Sequence, residues 1–91
     1  MIQFNKEYVI NNDKGVVRFE KINKNIICGV YFRGTITAKW DGETLKGTFY
    51  DAVGDGFGRI EFNFNTNGFE AKWKGGLDEG PMRGQWTGKI L

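Results

Sequence analysis

One phrase occurs twice in this 91-residue chain, and it constrains the fold more than any other feature. Residues 36–49 read Ile-Thr-Ala-Lys-Trp-Asp-Gly-Glu-Thr-Leu-Lys-Gly-Thr-Phe. Residues 69–75 read Phe-Glu-Ala-Lys-Trp-Lys-Gly, and after a loop residues 82–86 read Met-Arg-Gly-Gln-Trp. In both stretches Ala-Lys-Trp leads into a glycine turn and then into an apolar-basic-Gly-polar-aromatic pentad. Alternating runs flanking a glycine turn are the signature of a β-hairpin, and recurrence on this scale marks a duplicated supersecondary unit.

Period-two alternation extends over the rest of the chain, with no helical period of useful length. Ile60, Phe62 and Phe64 share one face while Arg59, Glu61 and Asn63 share the other. Ile2, Phe4, Tyr8 and Ile10 form a similar face, broken by Lys6. Turn-forming clusters lie at 11–15, 23–25, 41–42, 52–56, 65–68 and 75–81, where Asn-Gly and Asp-Gly favour tight connections. The strands implied are 2–10, 16–22, 26–40, 44–52, 57–65, 69–74 and 82–90. The run 26–40 is too long for one strand and breaks near Arg33-Gly34, giving seven or eight strands. Short turns between such strands give a single all-β antiparallel meander domain over residues 1–91. Curling it into a small barrel or half-barrel hides its edges. Gly47, Gly84 and Gly88 fall on the expected inner face, where they relieve crowding beside large indoles.

The chemistry this chain lacks is as informative. It contains no histidine and no serine, so the common nucleophile–base pairs and Cys/His zinc sites are ruled out. Its one cysteine, Cys28, falls in phase with Ile26, Val30 and Phe32 and is expected to be a buried small hydrophobe. Asp51 with Asp55, and Asp78 with Glu79, pair carboxylates in loops. They match neither a calcium-loop spacing nor a wide glycosidase cleft, and solvated turn acids are expected. The glycine-rich run 54–58 precedes a strand and not a helix, so it lacks what a phosphate cradle needs. No catalytic residue, cofactor or metal is expected.

The absence of disulfide partners, of a signal peptide and of a bilayer-length apolar run points to a cytoplasmic protein without membrane contact. A net charge of +2 is small for a nucleic-acid surface, although single-strand binding stays open as an alternative.

What remains is binding. Aromatic residues make up 15% of the chain, enough both to fill a thin core and to mark an interface. Tyr31 and Arg33 fall opposite the face assigned to Cys28, Val30 and Phe32; Tyr50 falls opposite Phe49, and Phe57 sits at a loop–strand junction. These four are the expected protein-contact surface, with Asp78, Glu79 and Arg83 as a second patch. The leading expectation is a non-enzymatic module that forms a homodimer and contacts a larger protein. The alternative is a small-ligand barrel using Trp40, Trp73 and Trp86.

Residues 69–76, with their counterpart around Trp40, resemble MORN-type hairpin repeats, which carry an aromatic-x-Gly-x-Trp-x-x-Gly pattern. Ala38 and Ala71 replace the expected glycine. The resemblance implies a hairpin repeat with a scaffolding role. A meander with tryptophans near strand ends is also similar to avidin- and lipocalin-like barrels, which implies an internal ligand site. The chain further resembles, without a defining motif, small accessory proteins of bacterial defence (CRISPR) systems, which implies a larger protein as partner.

Overall fold

Eight strands follow one another along the chain and close into a barrel. In the computed structural model, which describes residues 2–11, 15–54 and 56–91, they are β1 (Glu7–Ile10), β2 (Val16–Lys21), β3 (Ile26–Tyr31), β4 (Gly34–Trp40), β5 (Thr44–Asp51), β6 (Gly56–Phe64), β7 (Gly68–Gly75) and β8 (Gly84–Ile90). Each pairs antiparallel with the next, and β1 pairs with β8, so the expected meander closes fully. The run 26–40 breaks where expected, at a tight turn through Phe32 and Arg33.

The first strand begins later than expected. Asn5 takes a φ of 61°, a left-handed conformation that asparagine tolerates better than most residues and that ends any extended run. Residues 2–6 turn across one end of the barrel instead. Gln3 N–H donates to the Tyr8 hydroxyl at 2.9 Å, Asn5 N–H donates to the Phe19 carbonyl at 3.0 Å, and Ile2 and Phe4 pack on the core. That end also carries the loops after β2, β4 and β6. Each is held by a side chain at its start: Asn23, Asp41 and Asn65 accept backbone N–H groups two or three residues on.

Inside this plugged half, Tyr8, Phe19, Phe62, Phe64 and Phe69 interlock. Phe62 meets Phe69 at 5.1 Å and 79°, and Phe19 meets Phe62 at 5.3 Å and 88°, the edge-to-face geometry that ring quadrupoles favour. Glycine makes room for two of the rings. A Cβ at Gly88 would come within 2.2 Å of Phe69, and one at Gly84 within 1.9 Å of Trp73.

The two similar hairpins are β4–β5 and β7–β8, three strands apart. Successive strands of a meander alternate in direction, so an offset of three inverts the unit. Trp40 therefore sits at the plugged end, against Phe64, while Trp73 sits at the opposite mouth.

The face assignment in β3 is reversed relative to the sequence expectation. Ile27, Gly29 and Tyr31 point inward, with Gly29 lying under Phe19 and Ile36. Cys28, Val30 and Phe32 point outward: Cys28 is half-buried, opposite Glu20 and Thr37, and is no core residue. The slip follows from treating Gly29 as an outer position; a glycine beneath a phenyl ring contributes space to the interior and no hydropathy to the pattern.

The outward rows read Cys28–Thr37–Thr48–Arg59 and Ile26–Lys39–Lys46–Glu61–Lys72–Gln85. No helix among the described residues is long and apolar enough to cross a membrane.

The seam between β1 and β8 is, with β1–β2, the shortest pairing in the ring, and Asn11 extends it. Its N–H donates to the Thr87 carbonyl and its Oδ1 accepts the Thr87 N–H, both at 2.8 Å, from a φ of 46°. Asn11→Ala removes one acceptor and places a side chain that resists positive φ. The expected outcome is a loss of about 1–2 kcal/mol in chemical denaturation, with earlier hydrogen exchange at Thr87. An unchanged midpoint would show that the seam does not need the clasp.

Candidate functional site

The end opposite the N-terminal plug is open. The aromatic packing stops short of it and leaves a hollow of about 250 Å³. Its wall is formed by Ile10 of β1, Tyr31 of β3, Phe49 of β5, Ile60 of β6, Trp73 of β7 and Trp86 of β8, with Asn11, Phe32, Arg33 and Asp51 at the rim. Tyr31 meets Trp86 at 5.4 Å and Phe49 meets Trp73 at 6.0 Å, both near edge-to-face. The indole N–H of Trp73 is buried in this wall without an acceptor among the described residues.

The rim is polar and ordered by Asp51. One carboxylate oxygen accepts the N–H groups of Val53 (3.1 Å) and Gly54 (2.9 Å); the other accepts Arg33 Nε at 2.6 Å. The backbone of the same two turns is joined where Ala52 N–H donates to the Arg33 carbonyl at 2.7 Å. The Gly54 N–H first, and then the Arg33 guanidinium, hold the Asp51 carboxyl below the usual carboxylate range, so it is ionised at neutral pH. Burial pushes the Tyr31 phenol up, the Asp51 charge adds to this, and Arg33 opposes it. The phenol is therefore neutral and keeps its proton.

The residues expected to form a protein-contact surface divide. Tyr31 is not on that surface: it is 6% exposed and forms part of the hollow, a consequence of the reversed phase of β3. Arg33 stands at the rim, paired with Asp51. Tyr50 and Phe57 do face outward, as register partners on β5 and β6. Near them the β7–β8 loop folds back over β6, where Gly76 N–H donates to the Phe57 carbonyl and Leu77 borders Tyr50 and Phe57. In that loop Asp78 receives Lys74 Nζ at 3.1 Å and Glu79 faces Arg59 at 3.6 Å, while Arg83 gives its backbone N–H to Trp73. Lys74 is buried and also donates to the carbonyls of Gly75 and Asp78.

Of the three tryptophans, Trp73 and Trp86 share the hollow. Trp40 does not, and lines a separate depression with Ile2, Phe4 and Ile27 at the plugged end. Asp55, considered with Asp51 as an acid pair, lies outside the described residues; among those described, no group of three or more acidic or cysteine side chains is placed to hold a metal. Sequence reasoning missed Ile10, Phe49 and Ile60 in the wall and Asn11 and Phe32 at the rim.

Comparison with family models, with curated proteins and with solved structures finds no match.

The depressed Asp51 carboxyl has a consequence for acid stability. A folded-state value below the unfolded value of about 3.9 means that its contribution is complete above that pH and is lost as pH falls through the folded-state value. Between about pH 5 and pH 2 the thermal midpoint of Asp51→Asn is expected to fall less steeply than that of the parent. Asp41 and Asp78, depressed by their own hydrogen bonds, keep some slope in both proteins. Parallel curves would remove Asp51 from the acid response.

Proposed function

We propose that this protein is a non-enzymatic small-ligand-binding barrel whose site is the open mouth. The observation that carries the reading is the aromatic hollow of about 250 Å³ between Trp73 and Trp86, at the end the chain leaves unplugged. Liquid water would place about eight molecules in that space, so the matching ligand has a similar number of non-hydrogen atoms. Rings on the wall and one polar edge suit a flat, mostly apolar molecule. The titratable groups at the rim favour binding over reaction: Asp51 is held by three donors, and the Tyr31 phenol is neutral.

Tryptophan fluorescence tests the reading. Trp40→Phe leaves Trp73 and Trp86 as the reporters of the mouth. Small aromatic compounds are expected to shift its emission saturably, with Kd between about 1 μM and 1 mM for a molecule of this size. A panel of such compounds that leaves the emission unchanged at several millimolar would sink the proposal.

A second reading is favoured by the outer surface. Val30, Thr35, Tyr50 and Phe57 are successive register partners across β3 to β6, and Val30, Tyr50 and Phe57 are 51%, 47% and 54% exposed. An apolar row of this kind suits contact with a second copy of the chain. Light scattering is expected to give twice the 10.4 kDa chain mass, and Phe57→Glu to return it to one chain. A single-chain mass for the parent at about 100 μM contradicts the dimer.

A further inference from the structure

The side chains around the mouth differ in what they can still bond. The acceptors are largely occupied by the protein itself. Asp51 Oδ1 receives Val53 and Gly54, Asp51 Oδ2 receives Arg33, and Asn11 Oδ1 receives the Thr87 N–H. That last bond fixes the Asn11 amide so that its NH₂ is the group left over. The donors are less committed. The Trp73 indole N–H has no acceptor among the described residues, but it is buried against Gly84 and serves as a reporter of the wall and not as a free donor. The guanidinium of Arg33 meets Asp51 through Nε, and its side chain is still 39% exposed. The Tyr31 hydroxyl belongs to a neutral phenol that lines the hollow near this pair.

From this imbalance we infer that the mouth selects a small aromatic ligand carrying a hydrogen-bond acceptor, an aryl carboxylate or aryl carbonyl, and discriminates against a benzylic ammonium of the same size. The inference rests on the reading of the hollow as a ligand site and names its ligand class. The ring occupies the space between Trp73, Trp86 and Phe49. The acceptor lies at the rim, where Arg33, Tyr31 and Asn11 offer N–H and O–H groups. A carboxylate there gains charge-assisted bonds from the guanidinium. An ammonium finds the same guanidinium as a like charge, and the carboxylate that would attract it is already neutralised by Arg33 at 2.6 Å. Aromatic walls alone favour cations, so the rim and the walls pull in opposite directions and the comparison decides which prevails.

Four monosubstituted benzenes separate the terms at neutral pH: toluene, benzylamine, benzamide and benzoate. Tryptophan emission gives affinity, and the indole N–H resonances report which tryptophan is reached. Benzoate and benzamide are expected to bind about tenfold or more tighter than benzylamine, the size of one charge-assisted hydrogen bond gained or lost. They are also expected to shift the Trp73 N–H resonance and to leave that of Trp40 in place. In the double variant Arg33→Gln/Asp51→Asn, which removes both charges together, benzoate is expected to fall to the affinity of toluene while toluene keeps its own. Equal affinity of toluene and benzoate for the parent, or preference for benzylamine, overturns the ligand class and leaves the hollow as a site. Failure of all four to bind overturns the site itself.

Discussion

Closure of β1 onto β8 is the constraint from which the rest of the structure follows. A meander that closes has no free edge, but it acquires an interior that its own side chains must fill. Eight strands make that interior just wide enough for a packed core. This chain fills it unevenly. Tyr8, Phe19, Phe62, Phe64 and Phe69 pack ring against ring in one half, and residues 2–6 cover them. In the other half the rings of Tyr31, Phe49, Trp73 and Trp86 stand around a space. The ring would collapse on a hollow lined by flexible chains. Aromatic walls hold it open because each ring has few rotamers and leans on another ring across the interior.

Much of this architecture was legible in the sequence, and the reasons are local. Period-two alternation located the strands after the first to within a few residues, and strand length required the break in 26–40 that falls at the Phe32–Arg33 turn. The inner glycines were readable because Gly84 and Gly88 alternate in phase with Trp86 and Ile90. What failed was also physical. In β3 a glycine occupies an inner position, so hydropathy gave no sign of the phase, and Tyr31 was assigned to the wrong side of the sheet. A repeat offset by three strands puts like residues at opposite ends of a meander, which sequence similarity by itself does not reveal. The grouping of Trp40 with Trp73 and Trp86 fails on that inversion.

The site was less legible than the fold because its members are spread over β1, β3 and β5 to β8 and the turns between them. Arg33 and Asp51 come from different hairpin turns, and neither turn carries a mark that it faces the other. Asn11 reaches the rim because the left-handed turn of its backbone carries β1 onto Thr87. Asp51 does at the mouth what Asn23, Asp41 and Asn65 do at the plugged end, capping its own turn through a side-chain oxygen. Only its second oxygen differs in use, and that oxygen fixes the guanidinium beside the hollow. A turn-forming residue type thus concealed a rim residue.

The polarity of the outer surface runs the same way as the packing inside. Among the described residues, eight large apolar side chains are exposed. Ile22 and Leu91 lie at the plugged end, and Val30, Phe32, Tyr50, Val53, Phe57 and Leu77 lie on the mouth side. Lysines 39, 46 and 72 occupy the outer rows toward the plug. A barrel needing only a core has no reason to gather its exposed apolar surface around one opening. Phe32 links the two regions, since it is exposed on the outside and also belongs to the rim of the hollow. Anything that packs against Phe32 from outside therefore bears on the turn that carries Arg33. The mouth and the apolar row are thus neighbours, and the two-residue turn between them is tied to the next loop where the Arg33 carbonyl accepts the Ala52 N–H.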